Sequence, residues 1–350
     1  MPGELVEDVV IVRDEKEASQ VYNKGFYGYP LSGGALELDV LEACYLLETG
    51  RMQVLRNQRS LAFSDMIKLS ATSCDGFEIL YIVYRDLRQR GYVVKPDSGE
   101  FDFRVFPRGG TPTTSQTKYW VLAVAERSLF DMTGFLEEMA RSERTRKELL
   151  LAIVDEEGDI TYYKASRSGP TGHTVGDVAS PIEAVLFEDR VLVLEEDRAE
   201  RLYRNGFYGK KLGKVLQLSL IETAYLMGED KVTVRTPGSN RKVSLSGLIR
   251  KAMKIQPDFE LRLRAYGDLR KRGLIVKTGF KYGAHFRVYE ADPEKHHAKY
   301  LVHAVPEDYK AMWPEISRAV RLAHGVKKDI LFGRVSEKDV QYLRFRRVRP

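Results

Sequence analysis

The segment Val21-Tyr-Asn-Lys-Gly-Phe-Tyr-Gly28 returns as Leu202-Tyr-Arg-Asn-Gly-Phe-Tyr-Gly209. Asp86-Leu-Arg-Gln-Arg-Gly-Tyr-Val-Val-Lys95 returns as Asp268-Leu-Arg-Lys-Arg-Gly-Leu-Ile-Val-Lys277. Phe103-Arg-Val-Phe106 returns as Phe286-Arg-Val-Tyr289, and Lys118-Tyr119 as Lys299-Tyr300. Four matches in one order, offset by 181 to 183 residues, mark a duplicated domain, because solenoid repeats recur every 20–50 residues or so. A chain of 350 residues has room for both copies. The join falls at Ser166–Pro181, where Ser-Gly-Pro-Thr-Gly-His-Thr-Val-Gly reads as a flexible loop.

Each copy divides again. Apolar spacing predicts helices over Leu36–Leu47, Phe63–Ser70 and Phe77–Arg90, matched by Leu216–Met227, Leu245–Ile255 and Phe259–Arg272. Gly91 and Gly273 stop the last helix of each set, ahead of the short β-type runs Tyr92–Lys95 and Leu274–Lys277. The remainder of the first copy predicts strands at Phe101–Phe106, Trp120–Ala125, Leu149–Val154 and Ile160–Ala165, with Leu129–Arg141 helical. In the second copy the strands fall at His285–Tyr289, Tyr300–Val305, Ile330–Val335 and Val340–Arg346, with Tyr309–His324 helical. Two α/β layers per copy follow, four along the chain.

Composition narrows the class further. A hydrophobic fraction of 43% beside 30% charged residues suits a soluble, packed protein. No window approaches about 18 uninterrupted apolar residues, and Met1–Val12 lacks a basic start and a signal-type apolar core, so a cytoplasmic protein is expected. Cys44 and Cys74 are too few for a disulfide framework and too isolated for a zinc knuckle. A net charge of +6 is compatible with a polyanionic partner. Gln341–Pro350 concentrates Arg344, Arg346, Arg347 and Arg349 without an acid, as either a solvated or a phosphate-facing strand.

The two copies then act as controls for one another. All six histidines lie beyond residue 172: His173 in the join, and His285, His296, His297, His303 and His324 in the second copy. Histidine is the usual acid or base near neutral pH, so the first copy is a poor candidate for an active site. Tyr289 is matched by Phe106, His297 by Gln116 and Lys328 by Lys147. The second copy thus offers a phenol, an imidazole and an ammonium where the first keeps only the ammonium. Taken alone, that contrast also fits drift around a core tyrosine and a surface histidine.

The second copy runs Gly-Leu-Ile-Val-Lys-Thr-Gly-Phe-Lys-Tyr-Gly-Ala-His-Phe-Arg-Val-Tyr, then His-Ala-Lys-Tyr-Leu-Val, then Ser-Arg-Ala-Val-Arg-Leu-Ala-His-Gly-Val-Lys-Lys. These segments closely resemble the catalytic half of archaeal tRNA-splicing endonucleases of the homodimeric, two-repeat form, and the first copy resembles their degenerate half. The resemblance implies a catalytic triad of Tyr289, His297 and Lys328, acting without a metal or other cofactor. Lys327 stands where the family more often has arginine, which leaves Lys327 as a rival to Lys328; the match to Lys147 favours Lys328. His296 rivals His297 in the same way, and the His-x-x-Tyr spacing to Tyr300 favours His297.

In the family the RNA 2′-hydroxyl attacks the adjacent phosphate, leaving a 2′,3′-cyclic phosphate and a 5′-hydroxyl. Tyr289 would be the base, His297 the acid and Lys328 the electrostatic stabiliser. A tyrosine, titrating ordinarily near 10, is a reluctant base and needs cationic help. The implied partner is precursor tRNA cut at both sites of a bulge-helix-bulge, whose splayed bases a protein reads by stacking. Arg321 and Arg344, the latter chosen over Arg346, match the two base-clamping arginines. Asp155, Glu156, Glu157 and Asp159 match the acidic loop that docks on a partner chain in a homodimer, two scissile sites calling for two chains.

The expected fold is therefore α/β (α+β): a tandem duplication in which each repeat joins a small helical, winged-helix-like N-terminal module to an α/β nuclease-type module. Residues 1–94 and 95–167 form the first pair, 168–181 the linker, and 182–277 and 278–350 the second pair. Two rivals remain, a non-catalytic RNA- or DNA-binding protein and a structural subunit of such an enzyme. The first leaves the Tyr289/Phe106 and His297/Gln116 contrasts unexplained. The second would be expected to carry two copies like the first.

Overall fold

The computed structural model describes residues 2–97, 99–174 and 181–350. The chain forms two compact units, one of Met1–Ser166 with Lys310–Pro314 and Arg347–Pro350, the other of Arg167–Tyr309 and Glu315–Arg346. In the first unit the strands run in the order Tyr29–Pro30, Leu36–Asp39, Val9–Val12, Pro2–Val6, Gln53–Arg56, Arg59–Leu61. In the second the order is Lys210–Leu212, Val215–Leu218, Val191–Val193, Ile182–Leu186, Val232–Arg235. In both, the first strand pairs antiparallel with its successor and parallel with the strand after the second helix. The mixed α/β architecture is thus duplicated, with Arg59–Leu61 answered in the second unit only by the bridge between Arg235 and Lys242.

These small sheets refine the helical reading of the N-terminal modules. Leu36–Asp39 alternates buried and half-buried positions as a strand, and Asp39 then caps the helix Val40–Glu48. Asp39 and Glu42 make a reciprocal capping box, repeated by Ser219 and Glu222. A four-residue strand running straight into a helix shows too little periodicity to be separated from it. The same fusion occurs three times more: Val215–Leu218, Leu129–Asp131 and Lys310–Met312 are strands ahead of the helices Leu220–Gly228, Met132–Arg144 and Trp313–Gly325.

The second sheet of each unit agrees closely with expectation. In the first unit it runs Val94–Pro96, Phe103–Val105, Tyr119–Ala125, Glu148–Val154, Ile160–Ser168. In the second unit it runs Ile275–Thr278, Phe286–Tyr289, Tyr300–Pro306, Asp329–Val335, Val340–Val348. Tyr119–Ala125 pairs parallel with Glu148–Val154, and Tyr300–Pro306 with Asp329–Val335. Parallel neighbours need a crossover, which the helices Met132–Arg144 and Trp313–Gly325 supply. The second unit has one core around Leu202, Leu216 and Val234, and another around Tyr266, Val302 and Leu331.

The repeated motifs are a latch. Phe26 and Phe207 turn the chain in left-handed conformation, at φ 56° and 54°. Gly28 and Gly209 follow at φ 68° and 67°, and a Cβ on either would fall 2.4 or 2.5 Å from a backbone oxygen. Lys95 Nζ donates to the Gly28 carbonyl at 2.6 Å and to buried Glu42 at 2.9 Å; Lys277 Nζ reaches the Gly209 carbonyl at 2.7 Å. Arg88 and Arg270 donate to Gly25 and Gly206 and lie over the rings of Tyr27 and Tyr208. Asp86 accepts from Arg90 and Tyr162, as Asp268 does from Arg272 and Tyr342.

The predicted linker is ordered over part of its length. Gly172 N and Thr174 N donate to the carbonyls of Arg272 and Gly273, and His173 N to that of Glu290. Residues 175–180 of the linker lie outside the described residues. Cys44 is buried, which pushes its thiol up to about 12, and Cys74 is exposed. Among the described residues no helix is long and apolar enough to cross a membrane.

Candidate active site

Strand directions gather the three sequence-selected residues. Tyr289 ends the strand Phe286–Tyr289, paired with Ile275 and packed with Ala298 and Phe207. The antiparallel neighbour starts beside that end: Lys299 N donates to the Val288 carbonyl at 3.0 Å, and exposed His297 stands two residues earlier. The next strand is parallel, so it starts at the same end, with Asp329 N donating to the Lys299 carbonyl at 3.1 Å. Lys328 immediately precedes it. Tyr289, His297 and Lys328 therefore stand at one end of three adjacent strands.

The turn leaving Trp313–Gly325 sets the lysine. Lys327 N bonds the His324 carbonyl and Lys328 N the Ala323 carbonyl, with Lys327 left-handed at φ 55°. Arg146 has the same role in the first copy at φ 56°, directly before Lys147. Lys328 Nζ donates to the Val326 carbonyl at 3.2 Å and lies 5.5 Å from the ring centroid of Tyr282. Arg287, two residues before Tyr289 on its strand, holds its guanidinium 5.8 Å from the Tyr289 ring.

The first copy shows what this arrangement brings together. Phe106, Gln116 and Lys147 line one cleft of about 390 Å³ with Tyr29, Lys95 and Arg104. Lys147 Nζ donates to Gln116 Oε1 at 2.6 Å, so those two positions reach one another across the sheet end. Phe106 is buried, like Tyr289.

Two of the other histidines belong to the core. His285 Nδ1 accepts from Ala304 N at 3.1 Å, and the rings of His285 and His303 lie 5.2 Å apart. Burial pushes both down to about 4, with the Arg262 charge adding to the effect. His296 and His324 are exposed.

Arg321 is exposed on the helix that leads to Lys328. Arg344 and Arg346 share a face of the last strand and converge on Asp329, at 3.6 Å and 2.6 Å. Sequence reasoning passed over Asp329, although a lone acid directly after Lys328 and opposite that basic strand was a usable signal. In the acidic hairpin, Asp155 Oδ1 accepts from Glu157 N and Asp159 N, so it forms the turn. Glu156 pairs with Arg127, leaving the Glu157 and Asp159 carboxylates as the exposed pair at the tip.

Comparison with known proteins completes the picture. The family model "tRNA intron endonuclease, catalytic C-terminal domain" matches residues 77–162 and 259–342, and "tRNA intron endonuclease, N-terminal domain" matches residues 1–67 and 182–248. A relative from Methanococcoides burtonii named tRNA-splicing endonuclease is 39% identical, over 98% of each chain. Relatives of that name from Methanosarcina acetivorans and Halobacterium salinarum are 37% and 34% identical, over 100% of both chains. With both domains matched twice and these relatives matched end to end, the chain belongs to the tRNA intron endonuclease family.

Proposed function

We propose that the chain excises introns from precursor tRNA by metal-independent cleavage at both sites of a bulge-helix-bulge. It is an RNA endonuclease of tRNA splicing, and its second copy carries the chemistry. One observation carries this reading: Tyr289, His297 and Lys328 share one end of three adjacent strands, while the equivalent cleft of the first copy has Phe106, Gln116 and Lys147.

Tyr289 takes the 2′-hydroxyl proton as the 2′ oxygen attacks phosphorus. His297 gives a proton to the 5′ oxygen as the P–O5′ bond breaks, leaving a 2′,3′-cyclic phosphate and a 5′-hydroxyl. Lys328 stands beside the phosphorane and offsets its charge. Arg321 and Arg344 clamp a bulge base by stacking, Asp329 holding Arg344 until RNA arrives. Two copies of the chain act together in the cytoplasm, one active site per scissile bond, with Asp155–Asp159 of each docking on the other. The module boundaries at 94/95 and 277/278 and the linker 168–181 belong to the same reading.

The test is incubation of the purified protein with a bulge-helix-bulge RNA in EDTA, followed by end-group analysis. Wild type is expected to give cyclic phosphates, and His297→Ala to cut at least about a hundredfold more slowly. Cleavage that stops in EDTA and returns with magnesium would overturn the triad chemistry.

A further inference from the structure

Phe280 has 85% of its surface exposed, well above the other exposed large hydrophobic residues described. A phenylalanine held in water forgoes the gain of burial, and here the backbone holds it there firmly. Phe280–Tyr282 is a single 3₁₀ turn between the strands Ile275–Thr278 and Phe286–Tyr289. Gly279 N bonds the His285 carbonyl, Tyr282 N and Ala284 N bond the Gly279 carbonyl, and Gly283 N bonds that of Phe280. Gly279 cannot carry a side chain, since a Cβ would lie 2.6 Å from the Ala284 oxygen. The turn is a closed ring of hydrogen bonds with the phenyl group outside it.

The turn joins the Thr278 and Phe286 ends of its strands, away from the Tyr289 end, and it approaches Lys328 through Tyr282. The Tyr282 ring of the same turn lies 5.5 Å from Lys328 Nζ, and Gly283 packs near Leu322, the neighbour of Arg321. Leu322 and Val326 are also exposed, at 50% and 38%. This small apolar surface is set among Lys281, Arg321, Lys327 and Lys328, with no acid among residues 278–286 or 316–328. The first copy keeps the cations Arg146 and Lys147, but the described residues of its corresponding turn offer no exposed ring. There Asp97 pairs with Arg104, Glu100 pairs with Arg141, and Phe101 is buried against Trp120 with ring centroids 4.8 Å apart.

We propose that Phe280 is a stacking platform for an unpaired nucleobase of the RNA substrate next to the scissile phosphate, in addition to any arginine clamp. The ring supplies a π-face that any base can use, and the surrounding cations suit the phosphates on either side of that base. Among the described residues the exposed ring of this turn occurs only in the copy that holds Tyr289 and His297. The proposal rests on the endonuclease reading above.

The experiment uses the full-length protein and a bulge-helix-bulge RNA with 2-aminopurine placed at each unpaired position in turn. Binding is followed by fluorescence in a His297→Ala background, and cleavage by single-turnover kinetics with His297 intact. Phe280→Trp is expected to keep the quenching of one 2-aminopurine. Phe280→Ala and Phe280→Leu are expected to lose it and weaken binding about 5- to 150-fold, the usual range for one base–aromatic stack. Phe280→Leu separates stacking from plain apolar contact, and thermal unfolding checks that the fold is unchanged.

Quenching and affinity within twofold of wild type in Phe280→Ala would overturn the proposal. So would a changed sedimentation coefficient without RNA, which would make Phe280 part of an interface between copies. If wild type itself failed to cut the RNA, the endonuclease reading would fail, a result distinct from either.

Discussion

His285 and His303 face each other in the core of the second unit, and burial holds both near 4 against an ordinary 6.5. Arg262 on the adjoining helix disfavours their charge, while Asp258, its own ion-pair partner, favours charge on His285. The unfolded chain binds more protons than the folded one between these values. The neutral pair therefore stabilises the fold fully above about pH 6.5, and that contribution is lost as pH falls toward 4. Up to about 3 kcal/mol per histidine is at stake. Urea titrations from pH 7 to 4 should show a steeper loss in wild type than in His303→Gln, and parallel slopes would refute the assignment. The match to Gln116 singles out His297 in the sequence, but the residues alone do not show where His285 and His303 lie. All are histidines near aromatic and basic neighbours, and only the sheet pairing turns two inward and leaves the third at a strand end.

The turn after the helix Trp313–Gly325 gives two adjacent lysines different backbone roles. Lys327 occupies a left-handed position that costs an L-residue about 1–2 kcal/mol, which glycine avoids at an entropic cost of about 0.5–1 kcal/mol. Lys327→Gly is accordingly expected to keep cleavage within a few-fold and to gain up to about 1 kcal/mol of stability by denaturant titration. Lys328→Ala should leave stability alone and cut the single-turnover rate by about 10²–10³-fold, as for other transition-state charge stabilisers. The reverse pattern would transfer the catalytic role to Lys327. Apart from the helices Glu15–Gly25 and Glu196–Gly206, which went unread, elements of seven residues or more were legible in the sequence to within a few positions, because a helix or a buried parallel strand repeats its pattern often enough to be read. The strands Leu36–Asp39, Leu129–Asp131 and Lys310–Met312 were not, each running straight into a helix.

At the scale of the molecule, the proposed triad occurs once per chain, so the proposed excision at two sites calls for two chains. The hairpin tip of the first copy offers Glu157 and Asp159 to a partner, with Asp155 spent on the turn and Glu156 on Arg127. Contacts of this kind weaken as salt screens them. Sedimentation equilibrium should find the dimer dissociating more readily in about 500 mM than in about 50 mM salt, a change that shortens the screening length about threefold. Glu157→Lys/Asp159→Lys should dissociate at either, and an unchanged constant would remove the hairpin from the interface. The sequence by itself determined the duplication and the family, and it named the three positions proposed as catalytic. Each rests on the identity and order of residues, which the chain carries directly. Tertiary structure decided what identity cannot express: that the loudest repeated motifs form a latch through Lys95, Arg88 and Asp86, that Asp329 gathers two arginines, and that a ring at position 280 stays in water. Those facts depend on which backbone oxygens and neighbouring side chains a group meets. Such meetings are fixed only when strands distant in sequence pair in register.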